Sequence, residues 1–168
     1  MENGRRSVRR LTYGGLLAAL ITLLTAVFRI VIPPLGYYHI GDGAVLLCGM
    51  LLGTYGAFPA AVGACLADLL GGFPNYMFYR AVIKGGMALI AGKWIRPEEK
   101  VSAHNVRVLL LTGVWHILGH LVADALIYSS GTVAVSLIGG NLIQAAIAVA
   151  LGCALLSAPQ LFPETRGK

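Results

Sequence analysis

Six apolar runs occupy nearly all of this 168-residue chain. No other feature constrains it as much. Hydrocarbon offers no hydrogen-bonding partners, so a chain made of such runs must satisfy its own backbone, which it can do as helices packed in a bundle. Hydrophobic residues make up 57% of the sequence and charged residues 12%, with a mean hydropathy of +0.77, values outside those of soluble domains. The expected fold is an all-α membrane protein with a single transmembrane domain over 1–168. Its six transmembrane helices are expected at about 11–32, 42–54, 57–71, 78–92, 106–128 and 132–157.

The distribution of charge sets the topology. Arg5, Arg6, Arg9 and Arg10 precede the first run, and the polar linker KWIRPEEKVSAHN adds Lys93, Arg96 and Lys100, with Arg107 just after it. With Arg166 and Lys168 in the tail, ten of the 13 Lys and Arg residues lie on segments that the positive-inside rule puts in the cytoplasm, together with both termini. The remaining three cations, Arg29, Arg80 and Lys84, are matched by Asp42, Asp68 and Asp124. The outer half of the bundle is therefore close to neutral yet internally charged, as a polar cavity or a set of buried pairs requires. The first apolar run, about 22 residues, is too long for a signal-peptide core and reads as a span. The basic N-terminus is explained by topology and lipid headgroups, and no nucleic-acid partner is expected. Cys48, Cys65 and Cys153 are odd in number and dispersed in apolar sequence, as packing residues would be.

Span 1 carries the small-xxx-small pairs Gly14/Ala18 and Gly15/Ala19, which let another helix approach closely, either in its own bundle or in a partner. Pro33-Pro34 ends it, and the loop GYYHIGD follows. Asp42 stands where the N-cap of span 2 belongs. Spans 2 and 3 are short, as interior helices flanked by partly buried loops can be, and a re-entrant hairpin is the alternative. Arg80 and Lys84 are four residues apart on one face of span 4. His116, His120 and Asp124 form one polar stripe on span 5, and Asn141 and Gln144 lie on span 6.

Ionisable groups within membrane segments are costly and therefore mark candidate functional sites. With a rise of 1.5 Å per residue, Asp124 lies about 6 Å, His120 about 12 Å and His116 about 18 Å below the outer end of span 5. Asn141 and Gln144 lie about 14 Å and 18 Å below the outer end of span 6. These depths place His120 level with Asn141 and His116 level with Gln144. From the other side Lys84 lies about 9 Å in, while His39, Asp42 and Asp68 sit close to the outer rim, and a pocket open to the outside and sized for one small heteroaromatic molecule is expected. Tyr37, Tyr38, Tyr76, Tyr79 and Trp115 could stack on a flat ring, and the four tyrosines serve equally well as interface-belt residues. Asp68 and Lys84 read as a buried ion pair between spans 3 and 4. A metal site on the His116–His120–Asp124 stripe is a weaker reading, because a pair of His residues at i and i+4 lacks a further donor on the same turn.

The chain contains no GxxxxGK[ST] loop, GxSxG elbow or HExxH motif, so ATP hydrolysis and the commonest nucleophile and zinc-protease sites are not expected. The order of a small-residue first helix, GYYHIGDGAVLL, a third helix ending in ADLLGG, and FYRAVIKGGMALIAG resembles the S components of energy-coupling factor (ECF) transporters. The resemblance is to the riboflavin-transporter-like branch, which includes proteins assigned to hydroxymethylpyrimidine and pyridoxine. It implies a non-enzymatic, multi-pass subunit of the bacterial plasma membrane that binds a small vitamin or precursor from outside and works with a transmembrane coupling protein and two ATPases. It implies no cofactor of its own, ATP being used only by the partners. It further implies that Gly14, Gly15, Ala18 and Ala19 face the coupling protein, that 33–41 acts as a lid, and that spans 4 to 6 supply most ligand contacts. The expected substrate-binding set, from the converging polar groups together with this resemblance, is Tyr38, His39, Asp42, Tyr79, Lys84, His116, His120, Asp124, Asn141 and Gln144. Donor-and-acceptor side chains of this kind favour a pyrimidine or pyridine ring, with riboflavin next. A membrane enzyme or metal protein on His116, His120 and Asp124, and a stand-alone secondary carrier, are the competing readings.

Overall fold

The structure, a computed structural model, describes residues 2–31 and 37–162. The first helix, α1 (Glu2–Val27), ends before the expected boundary at 32. Residues Arg29–Val31 instead form a strand, β1, paired antiparallel with β2 (Tyr37–His39) in the register Arg29↔His39, Ile30↔Tyr38 and Val31↔Tyr37. Hydropathy alone does not separate β1 from the first span, because both are apolar. Its β-branched Ile30 and Val31 opposite Tyr37 and Tyr38 are the residue types that favour an extended ribbon. Residues 32–36 of the expected lid, including Pro33-Pro34, lie outside the described residues. The guanidinium of Arg29 ties the base of the ribbon to the end of the third helix by donating to the carbonyl of Gly71 at 3.1 Å.

Two short helices follow, α2 (Gly41–Leu52) and α3 (Ala57–Gly71), joined by a tight turn at Gly53–Gly56. Gly53 has φ +62, and Gly56 lies so close to the backbone of Cys48 and Gly49 that a Cβ there would collide with it. A straight helix would carry residue 56 about 12 Å along the axis from residue 48, so the chain doubles back here. α2 contains 12 residues and is about 18 Å long, shorter than the ~30 Å hydrocarbon layer. It survives because it is wrapped in protein: Ala44, Val45, Leu46 and Cys48 are all buried. Its expected cap is corrected. The N-cap position is Ile40, without a side-chain bond, and Asp42 points inward, fully buried.

The fourth helix, α4 (Met77–Trp94), packs against α2, α3 and the fifth helix, α5 (Ala103–Ile127), and so runs through the centre of the bundle. Close crossings depend on glycine. Gly49 abuts the backbone of Ala88 and Gly92, Gly63 abuts Ala18 of α1, and Gly86 lies under the indole of Trp115. That indole donates to the carbonyl of Ile83 at 2.9 Å, so Trp115 is a packing residue between α4 and α5 and not a ring-stacking wall. Between α4 and α5 the polar linker is organised by Asn105. It accepts from the Arg96 amide at 2.9 Å and donates to the Arg96 and Lys100 carbonyls, each at 2.7 Å.

The expected last span is two pieces, α6 (Gly131–Ser136) and α7 (Ile138–Leu156). Ser136 donates its hydroxyl to the Val133 carbonyl at 2.7 Å, a local bond that competes with the helical ladder at the break. The core gathers Leu17 and Ile21 of α1, Val45 and Leu46 of α2, Ile83 and Met87 of α4, and Leu109 of α5, while Leu16, Leu23, Leu118, Val122 and Leu142 project outward. By length and composition, four stretches among the described residues are apolar enough to cross a membrane: Ser7–Val27, Gly41–Gly71 counted through its Gly53–Gly56 turn, Ala103–Ile127 and Ile138–Leu156. Their outward leucines and valines suit lipid, and the protein is a multi-pass membrane protein.

Candidate functional site

At one end of the bundle, β2, α4, α5 and the α6–α7 break enclose a cavity of about 120 Å³. β2 contributes Tyr38 and His39, and the segment before α4 contributes Phe73 and Tyr76. α4 supplies Arg80 and Lys84, and α5 supplies His116, His120, Asp124 and Tyr128. Leu137, Gly140, Asn141 and Gln144 complete the wall. Helical spacing explains the convergence: 80 and 84 are successive turns of one face of α4, with Tyr76 just before its start, and 116, 120 and 124 are successive turns of one face of α5.

The inner end is a hydrogen-bonded polar cluster. Lys84 Nζ lies 2.6 Å from Asp42 Oδ1 and 3.2 Å from His116 Nδ1. Gln144 Nε2 donates to Asp42 Oδ2 at 2.7 Å and to the His39 carbonyl at 2.9 Å, and Gln144 Oε1 accepts from the His39 amide at 3.2 Å. Its side-chain amide thus acts as a short strand partner that holds β2 against α7. Toward the outer end, Tyr76 Oη donates to Asp124 Oδ1 at 2.8 Å, and Asn141 Nδ2 approaches Asp124 Oδ2 at 3.4 Å. Arg80 pairs with the buried Asp68 at 2.6 Å and lies over the Tyr76 ring, 5.2 Å from its centroid. The His116 and His120 rings are 4.6 Å apart and tilted by 51°.

Of the residues singled out by sequence, Tyr38, His39, Lys84, His116, His120, Asp124, Asn141 and Gln144 line this cavity. Asp42 stands behind it, as the counter-ion of Lys84. Tyr79 does not line it, because its position on α4 turns it toward the apolar core. The expected Asp68–Lys84 pair is replaced by two others, Asp68 with Arg80 and Asp42 with Lys84. Helix depths alone paired His120 with Asn141, whereas Asn141 reaches Asp124, one turn further out. Tyr76, one of the aromatics expected as a possible ring-stacking wall, lines the cavity, and Arg80, Phe73 and Tyr128 join it from outside the expected set. The four-residue spacing of Arg80 and Lys84 was the legible signal for Arg80. Among the described residues, no three His, Cys, Asp or Glu side chains are grouped as metal ligands, and Cys48, Cys65 and Cys153 are free thiols.

On α1, Gly14 and Ala18 are buried. Gly14 packs on Tyr55 and Pro59, and Ala18 against Gly63. That row therefore serves the protein's own bundle. Gly15 and Ala19 face outward, with open space beyond Gly15.

Residues 5–160 match the family described as the ECF-type riboflavin transporter, S component. The chain belongs to this family. It is also 32% identical over 137 residues, 79% of this chain and 88% of the other, to a Pyrococcus woesei protein described as "Uncharacterized protein in gap 3'region". S components are the vitamin-binding subunits of transporters and work with membrane coupling and ATPase subunits, which sets the family apart from enzymes. The polar cavity in an otherwise apolar S component is thus its candidate vitamin site.

Proposed function

We propose that this S component captures a single-ring vitamin or vitamin precursor, of pyrimidine or pyridine type, from outside the cell and delivers it through an ECF-type importer. The observation that carries the reading is the size and lining of the cavity. About 120 Å³ of space, open on one side and walled by donors, acceptors and aromatic rings, is on the scale of the ~150 Å³ closed cavity that accepts benzene. One substituted six-membered ring matches that scale after modest adjustment of the walls. The three fused rings and sugar-alcohol chain of riboflavin, the second reading, require a much larger opening of β2 and the α6–α7 break.

In this proposal α4 is a full crossing, α2 and α3 are short interior crossings, and α6–α7 is one broken crossing. That makes six spans with both termini cytoplasmic, in a bacterial plasma membrane. Lys93, Arg96, Lys100 and Arg107 fall on the inner side, and the cavity opens on the opposite one. Energy comes from ATP hydrolysed by two partner ATPases through a coupling protein, and the outward Gly15 and Ala19 on α1 offer that protein a close approach. The cargo site comprises Tyr38, His39, Lys84, His116, His120, Asp124, Asn141 and Gln144, with Asp42 as the counter-ion behind Lys84.

The test is co-expression with a coupling protein and ATPases, followed by uptake of labelled pyridoxine and hydroxymethylpyrimidine into vesicles. ATP-dependent uptake that needs all subunits is expected. Uptake by this chain alone, in vesicles without ATPases, would instead establish a secondary carrier.

A further inference from the structure

The two cations of the cavity are already neutralised from behind. Arg80 is held by Asp68 and Lys84 by Asp42, each at 2.6 Å, and both carboxylates are buried outside the lining. Asp124 differs. It lines the cavity, its hydrogen-bond partners, Tyr76 Oη and Asn141 Nδ2, are neutral, and the cation whose charge reaches it, Arg80, is already bound to Asp68. Among the side chains that line the cavity or directly back its lining, two cations meet three carboxylates, which leaves one formal negative charge when the histidines are neutral.

The other end of the cavity presents a donor. The ammonium of Lys84 can only donate, so His116 Nδ1, 3.2 Å away, accepts, and the ring proton of the neutral imidazole resides on Nε2. That Nε2 is buried and has no hydrogen-bond partner among the described residues. A buried donor left unsatisfied costs free energy that a ligand acceptor recovers. His116 and Asp124 are eight residues apart on α5, about 12 Å along the helix, and their side chains lean the same way. Two hydrogen bonds of about 2.9 Å leave roughly 6 Å between the polar ends of whatever lies between them, the breadth of one substituted ring.

We propose that the cargo is an uncharged or singly cationic ring that offers an acceptor to His116 Nε2–H and an amino or hydroxyl donor to Asp124, and that anionic forms of the same ring are rejected. This rests on the S-component reading and narrows it. A phosphate in the cavity would meet no cation without a carboxylate of its own, and it would face the charge of Asp124.

The experiment is equilibrium binding by the purified full-length protein of matched probes: pyridoxine, pyridoxamine and pyridoxine 5′-phosphate, and 4-amino-5-hydroxymethyl-2-methylpyrimidine with its monophosphate. The uncharged or cationic member of at least one set is expected to bind about tenfold or more tightly than the phosphate. Asp124→Asn is expected to shrink that gap by a similar factor, and Tyr76→Phe to keep its direction. Phosphates that bind equally or more tightly, or a gap that Asp124→Asn leaves unchanged, overturn the charge assignment while leaving the S-component reading intact. If every probe fails and riboflavin binds, both the single-ring reading and this proposal fall. If Asp124→Asn does not fold, a neutral 5′-acetate ester of pyridoxine, similar in bulk to the phosphate, separates charge from size: it is expected to bind more tightly than the phosphate, and equally weak binding overturns the charge assignment.

Discussion

Replacing Lys84 by Met tests the polar cluster that underlies the site. Lys84 and Asp42 lie 2.6 Å apart with side chains only 4% and 0% exposed, so losing the ammonium strands a carboxylate whose remaining side-chain donor is Gln144 at 2.7 Å. Removing one member of such a pair costs about 3–5 kcal/mol. For a chain of this size each kcal/mol moves the melting temperature by roughly 2–4 °C, so Lys84→Met should lower it by roughly 6–20 °C in ligand-free detergent solution. The double variant Asp42→Leu/Lys84→Met removes both charges and should recover most of that loss, because two apolar side chains of similar bulk replace the pair. A second cycle, Asp68→Asn with Lys84→Met, should show much weaker coupling, since Asp68 belongs to Arg80. If Lys84→Met is as stable as wild type, or if Lys84 couples more strongly to Asp68 than to Asp42, then Asp42 is not the stabilising partner of Lys84.

Other outcomes follow from individual contacts. Gln144→Leu removes both bonds to the His39 backbone and the bond to Asp42, so ligand affinity should fall about tenfold or more while far-UV circular dichroism stays unchanged. Gly49→Ala presses a methyl into the α4 backbone and should cost about 1–3 kcal/mol in thermal unfolding, whereas Gly15→Ala, with open space around it, should stay within about 0.5 kcal/mol of wild type. Asn105→Ala cuts three bonds to the 96–100 linker and should both destabilise the protein by about 2–4 kcal/mol and speed proteolysis there. Chelator should leave ligand binding unchanged, because Lys84 already occupies the Nδ1 lone pair of His116 that a metal would need.

Much of the fold was readable because its signals are periodic. The stripe 116–120–124 and the apolar runs project onto helices in one way only, and the structure brings that stripe to Asn141 and Gln144. Illegible features were those decided by geometry between segments. Ile30 and Val31 are as apolar in a strand as in a helix, so β1 was hidden inside span 1. Asp42 satisfies the pattern of a cap, yet it meets Lys84 across the α2–α4 contact, where Gly49 also abuts Ala88 and Gly92 of α4. Which of two aspartates takes which of two cations depends on helix rotation, and spacing along one chain does not encode the rotation of its neighbour. For the same reason the small residues of α1 announced a close contact without saying which row would be internal, and α3 covers Gly14 and Ala18.

The most direct test of the account is the melting temperature of the purified chain, without partners, across a panel of vitamins and precursors. A ligand at a hundred times its dissociation constant stabilises by about 2.7 kcal/mol, and a clear upward shift with at least one single-ring pyrimidine or pyridine compound is predicted. A panel in which no vitamin or precursor moves the transition would contradict the assignment of this cavity as a vitamin site.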